Sequence, residues 1–323
     1  MIDSHGAYAD TAGIIAGKYF RGGPKAKGSL FYIEKKSGVV GYVDSTGRAF
    51  GGVSVKTKVR RMRVYVWEKC HVQTVNNRIC TIIKDDGFDP SGYVGIGGTC
   101  VDHGTQTVRY SNFRIRKLNF GPPRDLADPL KYWSQWLEAE PDFSYALFQR
   151  GKRMGAKSPD NLDAAIEDLV ASIKLDPHWP QAYLYLGVYY EEKAQFAKAK
   201  ATYLKALENN PKRPMKFISG ILKRLAQLEA SCSVETVRDG KSALKHAMRL
   251  KKEFPNDLRN DTLVASAWAT IGDFDKAVQW QQKVVKAEPE NSAIKARRGR
   301  LELYKAKKPF VYPPGPRLSL IHI

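Results

Sequence analysis

Long apolar runs are missing from this chain of 323 residues. None approaches the roughly 18 residues that a membrane-crossing helix needs, so no membrane span is expected. The first twenty residues hold no basic stretch followed by a solid apolar segment, the pattern of a secretory leader. If that start is authentic a cytoplasmic location is expected, otherwise export. Cysteine is scarce, with four residues: Cys70, Cys80, Cys100 and Cys232. Three fall in the first half, so pairing there leaves one over and no disulfide framework is implied. Cys70-His71, Cys80 and Cys100 with His103 invite a zinc reading. No C-x₂-C knuckle accompanies them and the surrounding sequence alternates like strand, so no metal site is expected. No cofactor is expected either.

Acidic residues are the minority. The net charge is +20, from 53 Lys and Arg against 33 Asp and Glu. Residues 1–120 and 121–323 each carry an excess of 10, so the charge is spread and marks no single arm. Such a surface attracts polyanions in general, and a solvated basic face is the simpler reading.

What is abundant is a repeat. The stretch from Pro180 to Lys212 places Tyr183, Leu186, Gly187 and Tyr190 on one helical face. Phe196, Ala199, Tyr203 and Ala206 follow, then a stop at Pro211. Gly187, Ala199 and Ala206 are small where two antiparallel helices must approach closely, and the aromatics fill the space around them. An alanine stands 12 residues before a proline four times, at Ala165/Pro177, Ala199/Pro211, Ala243/Pro255 and Ala277/Pro289. The proline intervals are 34, 44 and 34. This spacing resembles the tetratricopeptide repeat (TPR), which implies a solenoid of helix pairs, with ten extra residues in the loop and first helix of the third unit. Repeat three, with Leu225-Ala226, Ser231-Cys232 and Arg238-Asp239-Gly240, resembles a variant common in bacterial proteins, where the cysteine packs and is not a nucleophile. The resemblance implies that a protein or peptide partner lies in a groove lined by the first helix of each repeat. The groove candidates are Gln181, Leu184, Val188 and Glu191, with Thr262 and Ser266 in repeat four.

The first half alternates like strand and is punctuated by glycine. Strands are expected at 30–34, 38–44, 54–58, 62–71, 78–84, 92–97 and 107–117, with a hairpin turn at Asn76-Asn77. Gly92, Val94, Gly95 and Ile96, then Asn112, Phe113, Arg114, Ile115, Arg116 and Leu118, are similar to the last strands of the concanavalin-like jelly roll of laminin-G-like and 3-keto-disaccharide hydrolase domains. The resemblance covers about half of such a module. It implies an incomplete antiparallel β-sandwich, and a sugar as alternative partner. Tyr65, Trp67 and Tyr93 are then the carbohydrate-binding candidates. No Glu-x-Asp-x-Glu triplet sets two acids over a glycosidic bond, so no catalytic residue is assigned. Asp85, Asp86, Asp89 and Asp102 read as turn formers ahead of calcium ligands. Lys56, Lys58, Arg60, Arg61 and Arg63 around Tyr65 and Trp67 read as a solvated strand face, with no OB or RRM signature for specific nucleic acid.

The expected architecture is α+β and multidomain: a lectin-like β-sandwich at 1–118, a linker at 119–129 and a capping helix at 130–143. Four TPR units at 144–290, a second cap at 291–308 and a tail at 309–323 complete it. The last six residues, Leu318–Ile323, continue no pattern and resemble the translation of a sequencing-library adapter. The expected function is a non-enzymatic interaction scaffold. The alternatives are a carbohydrate-binding protein, or part of a sugar hydrolase whose active-site half is not in this sequence.

Overall fold

The computed structural model describes residues 11–17, 29–34, 39–43, 49–54, 62–67, 70–84, 93–99, 129–211, 213–287 and 292–312. The chain divides into two compact units, Met1–Ala146 and Leu147–Ile323.

Among the described residues the first unit holds eight strands: β1 (Thr11–Gly17), β2 (Ser29–Glu34), β3 (Val39–Val43), β4 (Ala49–Ser54), β5 (Met62–Trp67), β6 (Cys70–Val75), β7 (Arg78–Lys84) and β8 (Tyr93–Thr99). They form two sheets, in the orders β4-β3-β2-β1-β8 and β5-β6-β7. Every pairing is antiparallel. Asn76 and Asn77 turn the β6–β7 hairpin at φ of 51° and 67°, the primed geometry that Asn tolerates and that suits strand twist. Three sequence expectations change. The single strand expected at 62–71 is two strands paired Trp67 to Cys70. Only Glu68 and Lys69 separate them, and neither residue type signals a turn. Strands β4, at Ala49–Ser54, and β1 were not anticipated, and the strand expected at 54–58 lies, past Ser54, outside the described residues. The strand expected at 107–117 lies outside the described residues.

Helix α1 (Pro129–Ala139) and the first turn of α2 (Ser144–Lys157) also belong to this unit. Tyr132, Trp133, Trp136 and Leu137 form a buried stripe, spaced as one helical face. Tyr65 of β5 stacks on Phe143 with ring centroids 3.6 Å apart and meets Trp136 edge-on at 5.8 Å. Arg63 forks onto Asp142 at 2.8 and 3.0 Å, and Ser144 donates to the Asn77 carbonyl at 3.2 Å. The short sheet and the helix therefore share one aromatic core.

The second unit is a mostly helical, TPR-like solenoid. After α2 come α3 (Leu162–Leu175), α4 (Pro180–Glu192), α5 (Phe196–Asn209), α6 (Met215–Ser231), α7 (Gly240–Glu253), α8 (Leu258–Ile271), α9 (Phe274–Ala287) and α10 (Ser292–Lys305). In each pair the first helix (A) packs antiparallel on the second (B), as α4 on α5, α6 on α7 and α8 on α9. The A helices α4, α6 and α8 also touch one another in succession. The 3-10 turn Pro159–Asn161, capped by Ser158, precedes α3. The ten extra residues of the third pair lengthen α6 to 17 residues and add a second 3-10 turn, Glu235–Val237.

Gly187 sets the α4–α5 distance. A Cβ there would stand 2.2 Å from the ring of Tyr203, which is fully buried. Three A helices end in the same Schellman geometry. The left-handed residue is Ala194 after α4, Gly272 after α8 and Lys307 after α10, at φ of 55°, 97° and 55°. The amide five residues on donates back each time: Gln195 to Tyr190, Asp273 to Trp268 and Lys308 to Leu303.

Two substitutions of opposite sign check this account. Gly187→Ala should destabilise by about 1–3 kcal/mol through overpacking on Tyr203. Ala194→Gly should stabilise by about 1 kcal/mol, because the left-handed site loses its Cβ penalty. Urea midpoints decide both, and a stabilising Gly187→Ala or a destabilising Ala194→Gly contradicts the assigned geometry.

Candidate functional site

The candidate partner face is the A-helix side of the second unit, and the six groove candidates fall unevenly on it. Gln181 and Leu184 are half-buried, with a Leu184 methyl beside the Gly220 backbone of α6. Val188, Glu191, Thr262 and Ser266 are buried. Glu191 accepts a 2.6 Å hydrogen bond from Tyr203 and lies 3.7 Å from Arg224. Thr262 donates to the Leu258 carbonyl at 3.1 Å, and Ser266 meets the Tyr304 hydroxyl at 2.9 Å. These four lie beneath the face and not on it, because successive A helices approach closely enough to cover them.

The residues that meet the segment after α10 were not anticipated. Gln227 and the Ser231 carbonyl of α6, and Arg300 of α10, meet the extended segment after α10. Tyr312 donates its amide to Ser231 at 2.8 Å, and its hydroxyl accepts hydrogen bonds from Gln227 and, at 3.4 Å, from Arg300. The Arg300 guanidinium lies 4.3 Å from the Phe310 ring centroid and 5.9 Å from that of Tyr312. In the sequence, Phe310 to Tyr312 read only as a proline-flanked exit from helix.

Buried ion pairs join the helices behind this face. Arg150 forks onto Asp168 with both contacts at 2.7 Å. Glu229, 1% exposed, faces Lys200 at 3.3 Å and His246 at 3.0 Å. Asp261, 1% exposed, takes Lys251 at 2.6 Å. Asp257 caps the start of α8 through the Arg259 amide and takes Lys223 of α6 at 3.0 Å. Burial pushes the Asp257 carboxyl up, but the bonds from Arg259 and Lys223 outweigh it and hold the group at about 2.

The carbohydrate candidates fare differently. Tyr65 is 7% exposed and stacked on Phe143. Burial pushes its phenol up to about 12, although Arg63 opposes the shift. Its ring is occupied within the first unit and is no open platform for a sugar. Trp67 lies in β5 and Tyr93 in β8, which belong to different sheets, so these residues do not line one strand face. The side chains of both lie outside the described residues, as do Asp85, Asp86, Asp89 and Asp102 and the basic residues at 56–61. Arg63, also read as part of a solvated face, is instead paired with Asp142. Cys80 and Cys232 are buried. Among the described residues no group of three His, Cys, Asp or Glu could hold a metal, and no helix is long and apolar enough to cross a membrane.

The family model of the tetratricopeptide repeat matches residues 180–213. The match identifies that stretch, α4 and α5, as a TPR unit. Similar solved structures include MamA, at 19% identity and TM-score 0.42, covering 51% of this chain and 91% of that one. A crystal structure of YrrB, described as a TPR protein with an unusual peptide-binding site, is 17% identical with TM-score 0.44, covering 55% and 86%. A TPR protein from Parabacteroides merdae is 18% identical with TM-score 0.42, covering 57% and 67%. No curated protein matches the chain.

The Asp257 cap gives a signed pH prediction. Its carboxyl sits below the unfolded value of 3.8, so its stabilisation is present above pH 4 and is lost as pH falls towards 2. Asp257→Ala should cost about 1 kcal/mol at pH 7, and the gap to wild type should shrink between pH 4 and 2. Denaturation series at several pH values check it; a gap that stays constant across that window contradicts the assignment.

Proposed function

We propose that this protein is a non-enzymatic interaction scaffold that receives an extended segment of a protein or peptide on the A-helix face of its TPR solenoid. In this reading residues 144–290 supply four TPR units, and α10 with its neighbours at 291–308 closes the array. The observation that carries the proposal is the segment 308–312. It lies in extended form against α6 and α10, held by a backbone hydrogen bond to Ser231 and by side-chain contacts to Gln227 and Arg300. A face that binds extended chain in this way has the chemistry that peptide recognition requires, main-chain bonding for affinity and side-chain anchors for specificity.

The first unit is, in the same proposal, a jelly-roll-like remnant. Its antiparallel strand directions agree with the resemblance, and the burial of Tyr65 speaks against sugar binding. No feature favours the carbohydrate or hydrolase alternatives.

Peptides selected from a displayed random library on the full chain provide the test, with hydrogen exchange measured on the saturated complex. Slowed exchange concentrated in α4, α6, α8 and α10 is expected. Protection confined to the B helices α5, α7 and α9, or no peptide selected above background, overturns the reading.

A further inference from the structure

The segment Lys308–Tyr312 is directed onto the face and does not merely trail from α10. Lys307 adopts the left-handed conformation at φ 55°, and the amides of Lys307 and Lys308 donate back to Tyr304 and Leu303 at 3.0 and 2.9 Å. The chain therefore reverses at a position where a lysine carries the Cβ penalty that glycine avoids. Pro309 follows, which disfavours helix for Lys308 and starts the chain in extended form. From there the side chains alternate as on a strand. Phe310 is half-buried against the cluster of Ala265, Ala269, Ala277 and Tyr304. Val311 is 37% exposed, and Tyr312 is half-buried again. The two aromatic rings meet edge-on at 4.8 Å, with Arg300 beside both. Beside Tyr312 lies a small void of about 10 Å³, lined also by Glu191, Phe196, Gln227, Leu228, Cys232 and Ser233.

We propose that the surface formed by Gln227, Ser231 and Arg300 binds extended peptides of the form aromatic-x-aromatic with a tyrosine in the second place, and that Phe310-Val311-Tyr312 is its resident occupant, which a partner must displace. This rests on the interaction-scaffold reading and adds to it the ligand chemistry and a gate. The ligand's amide bonds the Ser231 carbonyl, its two rings take the Arg300 guanidinium, and its hydroxyl accepts from Gln227.

Physics makes the cis segment a strong competitor. It starts within a few residues of the end of α10, so its effective concentration is on the order of millimolar. A trans peptide with the same contacts meets a face that is free only for the fraction of time the segment is undocked, and its apparent affinity falls by that fraction.

The test uses a fluorescein-labelled peptide of sequence KKPFVYP, followed by anisotropy against the full chain, against Phe310→Ala/Tyr312→Ala in the full chain, and against a chain ending at Lys307. Circular-dichroism melts confirm that both altered chains remain folded. Binding at least tenfold tighter to the two altered chains than to the wild type is expected, with that gain lost when Gln227→Ala and Arg300→Ala are added. Equal binding to all three chains overturns the gate, and no binding to the folded, emptied chains overturns the ligand assignment. The outcomes separate from those of the underlying reading. Library peptides that protect the A helices equally in wild type and in Phe310→Ala/Tyr312→Ala leave the scaffold standing and remove the gate. Loss of A-helix protection in every chain removes the scaffold. A Phe310→Tyr variant, which keeps the ring, should restore wild-type exclusion; failure to do so also counts against the proposal.

Discussion

The approach of a small residue to a buried tyrosine sets the spacing on which the solenoid depends. Tyr203 stands over Gly187 within an A/B pair, and Tyr189 stands over Gly155 between successive A helices. Each phenol also finds an acceptor, Tyr203 at Glu191 and Tyr189 at the Lys152 carbonyl, both at 2.6 Å. A ring without that bond would leave a buried hydroxyl unsatisfied, at a cost of about 1–3 kcal/mol. Size and polarity therefore act together. The glycine admits the ring, and the acceptor fixes how far the ring advances.

That spacing has a consequence for the charged groups. Helices held this close bury Asp168, Glu191, Glu229 and Asp261, and each of these carboxylates has a cation within 4 Å. Such pairs add little net stability over apolar packing, but losing one partner leaves a buried charge and costs several kcal/mol. They act more on register than on total stability. Lys223 with Asp257, and Lys251 with Asp261, tie α8 to α6 and α7 and so hold in place the face on which Phe310 and Tyr312 rest.

The helical half was legible because its signals are local. Period, small residues at crossings and terminal prolines each occupy a few neighbouring positions, and α4 and α5 follow them closely. The β half was less so. The Asn76-Asn77 turn declared itself through residue type, whereas the Glu68-Lys69 connection between β5 and β6 carries no such chemistry. Tyr65 illustrates the same limit. Alternation places it on a strand, but only α1 and Phe143, nearly 80 positions further on, decide that its ring is covered.

By itself the sequence determined the repeat, the helix pairing within it and the places where small residues must stand, since these follow from spacing along one chain. The tertiary structure alone decided which side chains reach the surface. Val188, Glu191, Thr262 and Ser266 occupy the positions that groove residues take in the repeat pattern, yet neighbouring helices cover them. Gln227 and Arg300, unremarkable in sequence, become the seat of Tyr312 because a left-handed Lys307 turns the chain back across 85 positions to place that residue on Gln227. Exposure depends on contacts between distant segments, and no local pattern encodes it.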